Sequence, residues 1–154
     1  MESPRRSDGR RRFGTGIIAI ASAIVGVLAL AAFAVAGSAT LGAAKAKVGS
    51  RSEMIAVNSK GVAVYELVPE TTKHLLCTSS MCLHFWPPVK VGAKVTKASG
   101  VGGKLGVLKR AGFTQLTLNG HPLYTFAEDG GKRGIATGDG IKTFGGTWHV
   151  FREG

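Results

Sequence analysis

The chain has 154 residues, of which 44% are hydrophobic, and its formal net charge at pH 7 is +11. This length fits only a small single domain. The lysines are scattered singly from Lys45 to Lys142, without a dense basic run interleaved with aromatics. The scattered lysines argue against nucleic-acid binding. The net positive charge favours anionic envelope components as partners.

The N-terminal segment has the pattern of an export signal or a membrane anchor. Residues 1–16 form a basic cytoplasmic n-region, and 17–36 then contain no charge. At about 1.5 Å per residue, a helix of this length crosses a hydrocarbon core of about 30 Å. Small residues near position 39 also suit signal cleavage. We therefore predict one apolar helix at 17–39, either a signal peptide or a transmembrane anchor in the cytoplasmic membrane.

The charge distribution predicts on which side of the membrane the rest of the chain lies. Arginines precede the apolar run and few cations follow it immediately, so the positive-inside rule places everything beyond Ala39 outside the cytoplasm. The protein is then either anchored by its helix or secreted after cleavage. Residues 40–52 are mostly Gly, Ala, Lys and Ser, with few large apolar side chains to bury. This composition predicts a flexible linker.

Residues 53–154 have the pattern of a mainly β domain. Short apolar segments alternate with turn residues, and no helical period is sustained. The 54–58 segment leads through 59–61 into 62–68, which predicts a hairpin. Asn119-Gly120 predicts a two-residue hairpin turn, because both residues tolerate positive φ. Further strands are predicted at Leu105–Lys109, Thr114–Leu118, Pro122–Phe126 and Thr147–Phe151.

An internal echo divides this domain in two. Residues 61–70 and 120–129 each place a turn glycine, an aliphatic residue, a tyrosine and an acid at the same offsets, 59 positions apart. Such self-similarity indicates a repeated supersecondary unit. We expect two related antiparallel β units packed as a sandwich or a barrel-like domain.

The two cysteines, Cys77 and Cys82, admit more than one chemistry. A location outside the cytoplasm favours a disulfide between them. Alternatively, their thiolates could join the Met81 thioether and the His84 imidazole in a site for reduced copper. A catalytic dithiol is disfavoured, because it usually needs Cys-x-x-Cys at the start of a helix.

Several short motifs together resemble the bacterial secreted-repeat family, predicted exported lipoproteins with a Tyr-x-aromatic-x-x-Asp motif. The segment 124–129 carries the full motif, whereas the first copy has Leu67 and Glu70 in place of the aromatic and the aspartate. The family's lipidated cysteine is missing after the apolar run, so membrane attachment would depend on the helix. The residues that carry the resemblance are Tyr65, Trp86, Pro87, Pro88, Tyr124, Phe126, Asp129, Gly138, Asp139, Gly140 and Trp148.

The sequence contains no pattern that supports a catalytic reaction. It lacks a nucleophile elbow and a His-Glu-x-x-His segment, and its acids are too sparse for a calcium loop. The family resemblance implies no established activity. We therefore predict an exported cell-envelope protein without a cofactor, which acts as a non-enzymatic binding or structural module. The alternative is a copper-binding or electron-transfer-associated redox protein of the cell surface.

Overall fold

The computed structural model describes residues 40–92 and 98–152. The predicted n-region and the predicted apolar helix lie outside these residues. Within them, no helix combines the length and the apolar character needed to cross a membrane.

The described residues form a mainly β structure, as predicted. The strands make three sheets, with the orders β2-β1-β4, β3-β10-β9 and β5-β6-β7, and β8 also pairs with β1. The elements are β1 (Leu41–Val48), β2 (Arg51–Asn58), β3 (Tyr65–Val68), α1 (Ser80–Phe85), β4 (Ala98–Ser99), β5 (Leu105–Arg110), β6 (Phe113–Leu118), β7 (His121–Pro122), a 3-10 helix (Ala127–Asp129), β8 (Ile135–Ala136), β9 (Lys142–Thr143) and β10 (Gly146–Val150).

The prediction of a flexible linker at 40–52 was wrong. Strand β1 pairs antiparallel with β2 along its whole length, from Leu41 opposite Asn58 to Val48 opposite Arg51. Its small side chains have little intrinsic strand preference, but strand formation depends strongly on neighbouring strands. Here β2, β4 and β8 all pair with β1. Among the described residues, the β structure therefore includes Leu41–Val48, ahead of the predicted boundary at residue 53.

The predicted hairpins have mixed outcomes. The main antiparallel partner of β2 is β1, and the 62–68 segment meets β2 only at the bridge between Val57 and Ala63. The turn at Asn119-Gly120 is confirmed, because Leu118 pairs with His121 across it. Its two residues have φ of 53° and 84°. The predicted strand at 122–126 was too long, since β7 ends at Pro122.

The first half (residues 40–92) and the second half (residues 98–152) follow a similar order. Each contains a long antiparallel hairpin, β1–β2 in the first half and, after the short strand β4, β5–β6 in the second. A segment with a tyrosine follows each hairpin, and a tryptophan segment ends each half.

The end of each half is inserted between strands of the other half. In the first half, the Ala56 amide donates to the Phe151 carbonyl at 2.8 Å, and the Phe151 amide donates to the Val64 carbonyl at 3.1 Å. Phe151 belongs to the second half, so it lies between two segments of the first. Backbone groups inside a fold need such partners, and here they come from the other half.

The second half shows the same arrangement with the roles exchanged. The Leu116 amide donates to the Val89 carbonyl at 2.8 Å, and the Val89 amide donates to the Leu123 carbonyl at 2.9 Å. Val89 belongs to the first half. Neither half therefore contains all of its own β-pairing partners.

The core also combines both halves. One cluster of buried side chains joins Leu41 and Val64 of the first half to Leu116 and Leu123 of the second. A second cluster contains Tyr65 and both tryptophans. Since burial of an apolar side chain stabilises a fold by roughly 1.5–3 kcal/mol, separating the halves would expose a large part of the core to water.

We predict that the two halves stay associated after the chain is cut between them. A protease site inserted at 93–97 should yield two fragments that co-elute in size-exclusion chromatography and separate only in denaturant, because each supplies strands to the other. The uncut inserted variant is the control. Separate elution of the fragments in native buffer would contradict the interlocked arrangement.

Candidate functional site

Stacked aromatic rings lie at the centre of the domain. The Trp86 ring stacks on Trp148, with ring centroids 3.8 Å apart and an interplanar angle of 4°. It also stacks on Phe126, with centroids 4.3 Å apart and an angle of 24°. The two tyrosines meet this stack edge-on, Tyr65 against Trp86 and Tyr124 against Trp148. Aromatic pairs prefer such offset and edge-to-face contacts. All five rings are buried.

The two tyrosine hydroxyls bind the carboxylates in a reciprocal arrangement. Tyr65 of the first half donates to Oδ2 of Asp129 in the second half at 2.6 Å. Tyr124 of the second half donates to Oε2 of Glu70 in the first half at 2.8 Å. The tyrosine and the acid of each repeated segment thus act across the halves, not within one copy.

The second oxygen of each carboxylate orders the loop that follows the acidic residue in the chain. Oδ1 of Asp129 accepts from the amide and the hydroxyl of Thr137, at 2.9 and 2.6 Å. Oε1 of Glu70 accepts from the amides of Leu76 and Cys77, at 2.8 and 2.9 Å. Both carboxylates are fully buried. A buried acid requires such donors, since burial without them is costly.

A cation accompanies one of the two pairs. The Arg110 guanidinium donates to the Tyr124 hydroxyl at 3.3 Å and to the Cys77 carbonyl at 2.7 Å. Arg110 is the last residue of β5, and the last residue of the corresponding strand β1 is the buried Val48. The repeat is therefore symmetric in its tyrosine–acid bonds but not in its charge.

The environment of both tyrosines favours their protonated form. Burial raises the pKa of Tyr65, and the hydrogen bond to the Asp129 carboxylate raises it further. Burial likewise raises the pKa of Tyr124, with a further contribution from the negative charge of Glu70. The hydroxyls therefore remain donors and do not form tyrosinate at ordinary pH.

The predicted disulfide is confirmed, since Cys77 and Cys82 are bonded to each other and both are buried. Ser79 caps the helix α1, and its hydroxyl accepts from the Cys82 amide at 3.2 Å. Met81 is 64% exposed to solvent, and His84 is also exposed. A copper site of this kind needs free thiolates. In this structure the two cysteine sulfurs are bonded to each other, so they do not supply them.

The other motif residues support the central stack. A Cβ at Gly138 would lie 2.7 Å from the Trp86 ring, so only glycine allows this approach. The Asp139 carboxylate accepts from the Val150 amide and from Arg152. The Gly140 amide donates to the Trp148 carbonyl at 2.8 Å.

The proline pair of the first half joins it to the second half. The Pro87 carbonyl accepts from the Thr125 amide at 2.8 Å, and Pro88 forms a β bridge with Tyr124. Sequence reasoning missed Arg110, because it belongs to no motif and donates to the Cys77 carbonyl, 33 positions away. The bond between Thr137 and Asp129 was also missed, although Thr137 directly precedes the motif residues Gly138 to Gly140. The echo of tyrosine and acid was visible, but not its exchange between the halves.

No group of three or more His, Cys, Asp or Glu within residues 40–92 and 98–152 has a metal-binding arrangement. The fold and the site thus define a mainly β domain with a disulfide and two buried tyrosine–carboxylate pairs. Residues 107–152 match the family described as a secreted repeat of unknown function, which confirms the resemblance for this part of the chain. The matched stretch contains Tyr124, Asp129 and Trp148. No curated protein and no solved structure matches the chain.

The raised tyrosine pKa predicts loss of stability in alkali. The folded-state pKa of each tyrosine lies above its unfolded value of about 10, so this contribution is complete below pH 10 and declines as the pH rises above it. The chain has only two tyrosines. Tyrosinate absorbance near 295 nm should therefore appear only when the protein unfolds. Reversible tyrosinate formation in the folded protein near pH 10 would contradict the buried, paired hydroxyls.

The exchange of hydrogen bonds predicts a specific pattern of coupling. Tyr124→Phe should reduce the free energy of unfolding by about 1–3 kcal/mol, because it leaves a buried Glu70 oxygen without its donor. A double-mutant cycle with Glu70→Gln should give a coupling energy, measured by chemical denaturation. The control cycle pairs Tyr65→Phe with Glu70→Gln and should show the smaller coupling, although the sites are close. Equal coupling in both cycles would refute the pairing.

Proposed function

We propose that this protein is an exported, non-enzymatic module of the cell envelope, with a binding or structural role. The observation that carries this proposal is the complete mutual pairing of the core groups that could otherwise do chemistry. The tyrosines and acids of the repeated segments bind one another, and the two cysteines are joined in a disulfide.

The tyrosine–acid pairs resemble catalytic dyads in composition but not in accessibility. Tyr65, Tyr124, Glu70 and Asp129 each have 0% of their surface exposed. A general acid or base must come within hydrogen-bonding reach of its substrate. A substrate could reach these groups only if the core opened, so their arrangement supports a structural role in the core.

Export is supported by the disulfide and by the secreted-repeat match at 107–152. In our proposal, the apolar run at 17–36 directs the chain to the cytoplasmic membrane, where it either remains as an anchor or is cleaved. The basic surface then favours contact with anionic envelope components. A copper-binding redox protein would require the Cys77–Cys82 bond to be reduced.

The proposal is tested in cells that express the full chain. Protease added to intact cells, after removal of an outer membrane or wall where present, should digest the 40–152 region but spare a cytoplasmic control protein. The intact mass measured without reductant should be two hydrogens below that of the reduced chain, with no bound metal. Protection from the protease together with free thiols would contradict export. Stoichiometric copper on reduced cysteines would favour the redox alternative.

A further inference from the structure

A pocket of about 250 Å³ lies beside the central aromatic stack. It is formed by the end of α1, the 3-10 helix and the β9–β10 turn. Its walls include the side chains of Phe85, Trp86, Phe126, Ile141, Phe144 and one acid, Glu128. A concave, largely aromatic site with one charged group has the usual composition of a small-molecule site.

Phe144 occupies a backbone conformation that its side chain does not favour. It is the first residue of the two-residue turn Phe144-Gly145, with φ of 55° followed by 85°. The turn at Asn119-Gly120 has nearly the same φ values, 53° and 84°, but uses the asparagine that such turns prefer. A bulky residue at positive φ is uncommon, and such strain clusters at ligand clamps.

Burial of the Phe144 ring does not fully account for the energetic cost of its backbone conformation. The Phe144 ring is only partly buried, and it lines the pocket together with Phe85, which is 40% exposed. The ring packs against the buried core cluster and also lines the pocket, whereas the asparagine of the other turn does neither. The strained turn therefore presents an aromatic ring to the pocket, and this points to a ligand.

The charge of the pocket indicates what kind of ligand it takes. Glu128 is exposed at its wall, with no hydrogen-bond or ion-pair partner among the described residues. Thr143, the other polar group of the wall, accepts from Trp148 Nε1 at 3.0 Å. The nearby Lys142 precedes Thr143 in β9, so strand alternation directs its side chain to the opposite face. The pocket thus offers a carboxylate and aromatic rings in an otherwise basic chain.

We propose that this pocket binds an organic cation with an apolar, quaternary-ammonium-type head group. The faces of aromatic rings attract such cations, and a nearby carboxylate adds charge complementarity. Both faces of Trp86 are covered by Trp148 and Phe126. The partly exposed rings of Phe85 and Phe144 would therefore contact the cation, with Glu128 in the same wall. The cation would belong either to a soluble molecule or to a lipid head group. This inference rests on the proposed binding role and specifies its ligand class.

The test uses the purified full chain, with choline as the probe and 3,3-dimethylbutan-1-ol as its uncharged isostere. Titration calorimetry should show saturable choline binding and at least tenfold weaker binding of the isostere. Equal affinity for both, or no saturable choline binding, would overturn the proposal. Vesicle binding that free choline displaces, with phosphatidylcholine but not phosphatidylglycerol, assigns the cation to a lipid. Choline binding without such vesicle binding assigns the cation to a soluble molecule. Either assignment supports the proposal that the pocket binds an organic cation.

Three variants separate binding from folding. Phe144→Asn should still fold, because asparagine suits the turn even though the packing of the ring against the core is lost, and it should weaken choline binding at least tenfold. Glu128→Gln should reduce the preference for choline over the isostere. Met81→Gln is the matched control, exposed on the same helix as Phe85 but outside the pocket, and should leave binding unchanged. Unchanged choline affinity in Phe144→Asn would overturn the proposed cation site. Failure of this proposal would leave the export and disulfide results intact.

Discussion

The reciprocal bonds between the tyrosines and the carboxylates are the constraint on which the rest of this structure depends. Glu70 and Asp129 are fully buried, and an unpaired buried carboxylate would cost the fold several kcal/mol. Each acid receives its hydroxyl donor from the other half of the chain. Because each acid also holds the loop that follows it, the loop of one half is ordered only when the other half is in place. The two halves therefore depend on each other for their buried hydrogen bonds.

The same exchange explains where the aromatic side chains lie. The tyrosine rings cross between the halves to reach the acids, so they meet the edges of Trp86 and Trp148, which stack on each other at the centre. Gly138 is required where the chain passes the Trp86 ring. The repeated motif thus builds a rigid interior, whereas Phe85, Glu128 and Phe144 lie outside it. The pocket wall nevertheless includes Trp86 and Phe126 of this interior, so the core also shapes the surface that a ligand would contact.

Local signals were enough for those parts of the structure that depend on local chemistry. Asn119-Gly120 could be read as a turn because both residues accept positive φ, and the Cys77–Cys82 bond followed from spacing and compartment. Strand β1 was missed because its Gly, Ala and Lys residues show no hydrophobic pattern, and its stability comes from three neighbouring strands. The predicted hairpin was right only at its turn end, where residues 62–64 pair with β2. The rest of the segment, β3, pairs with β10, which is distant in the chain.

By itself, the sequence determined the mainly β class, the repeat of tyrosine and acid, the disulfide and the secreted-repeat resemblance. These features follow from residue types and from motifs whose members lie close together in the sequence. Only the tertiary structure decided that the tyrosine of one copy pairs with the acid of the other, and that Arg110 accompanies only one pair. It also decided that Phe85, Glu128 and Phe144 share one pocket. These contacts join residues far apart in the chain, and no local preference specifies which of two equivalent acids a tyrosine will meet.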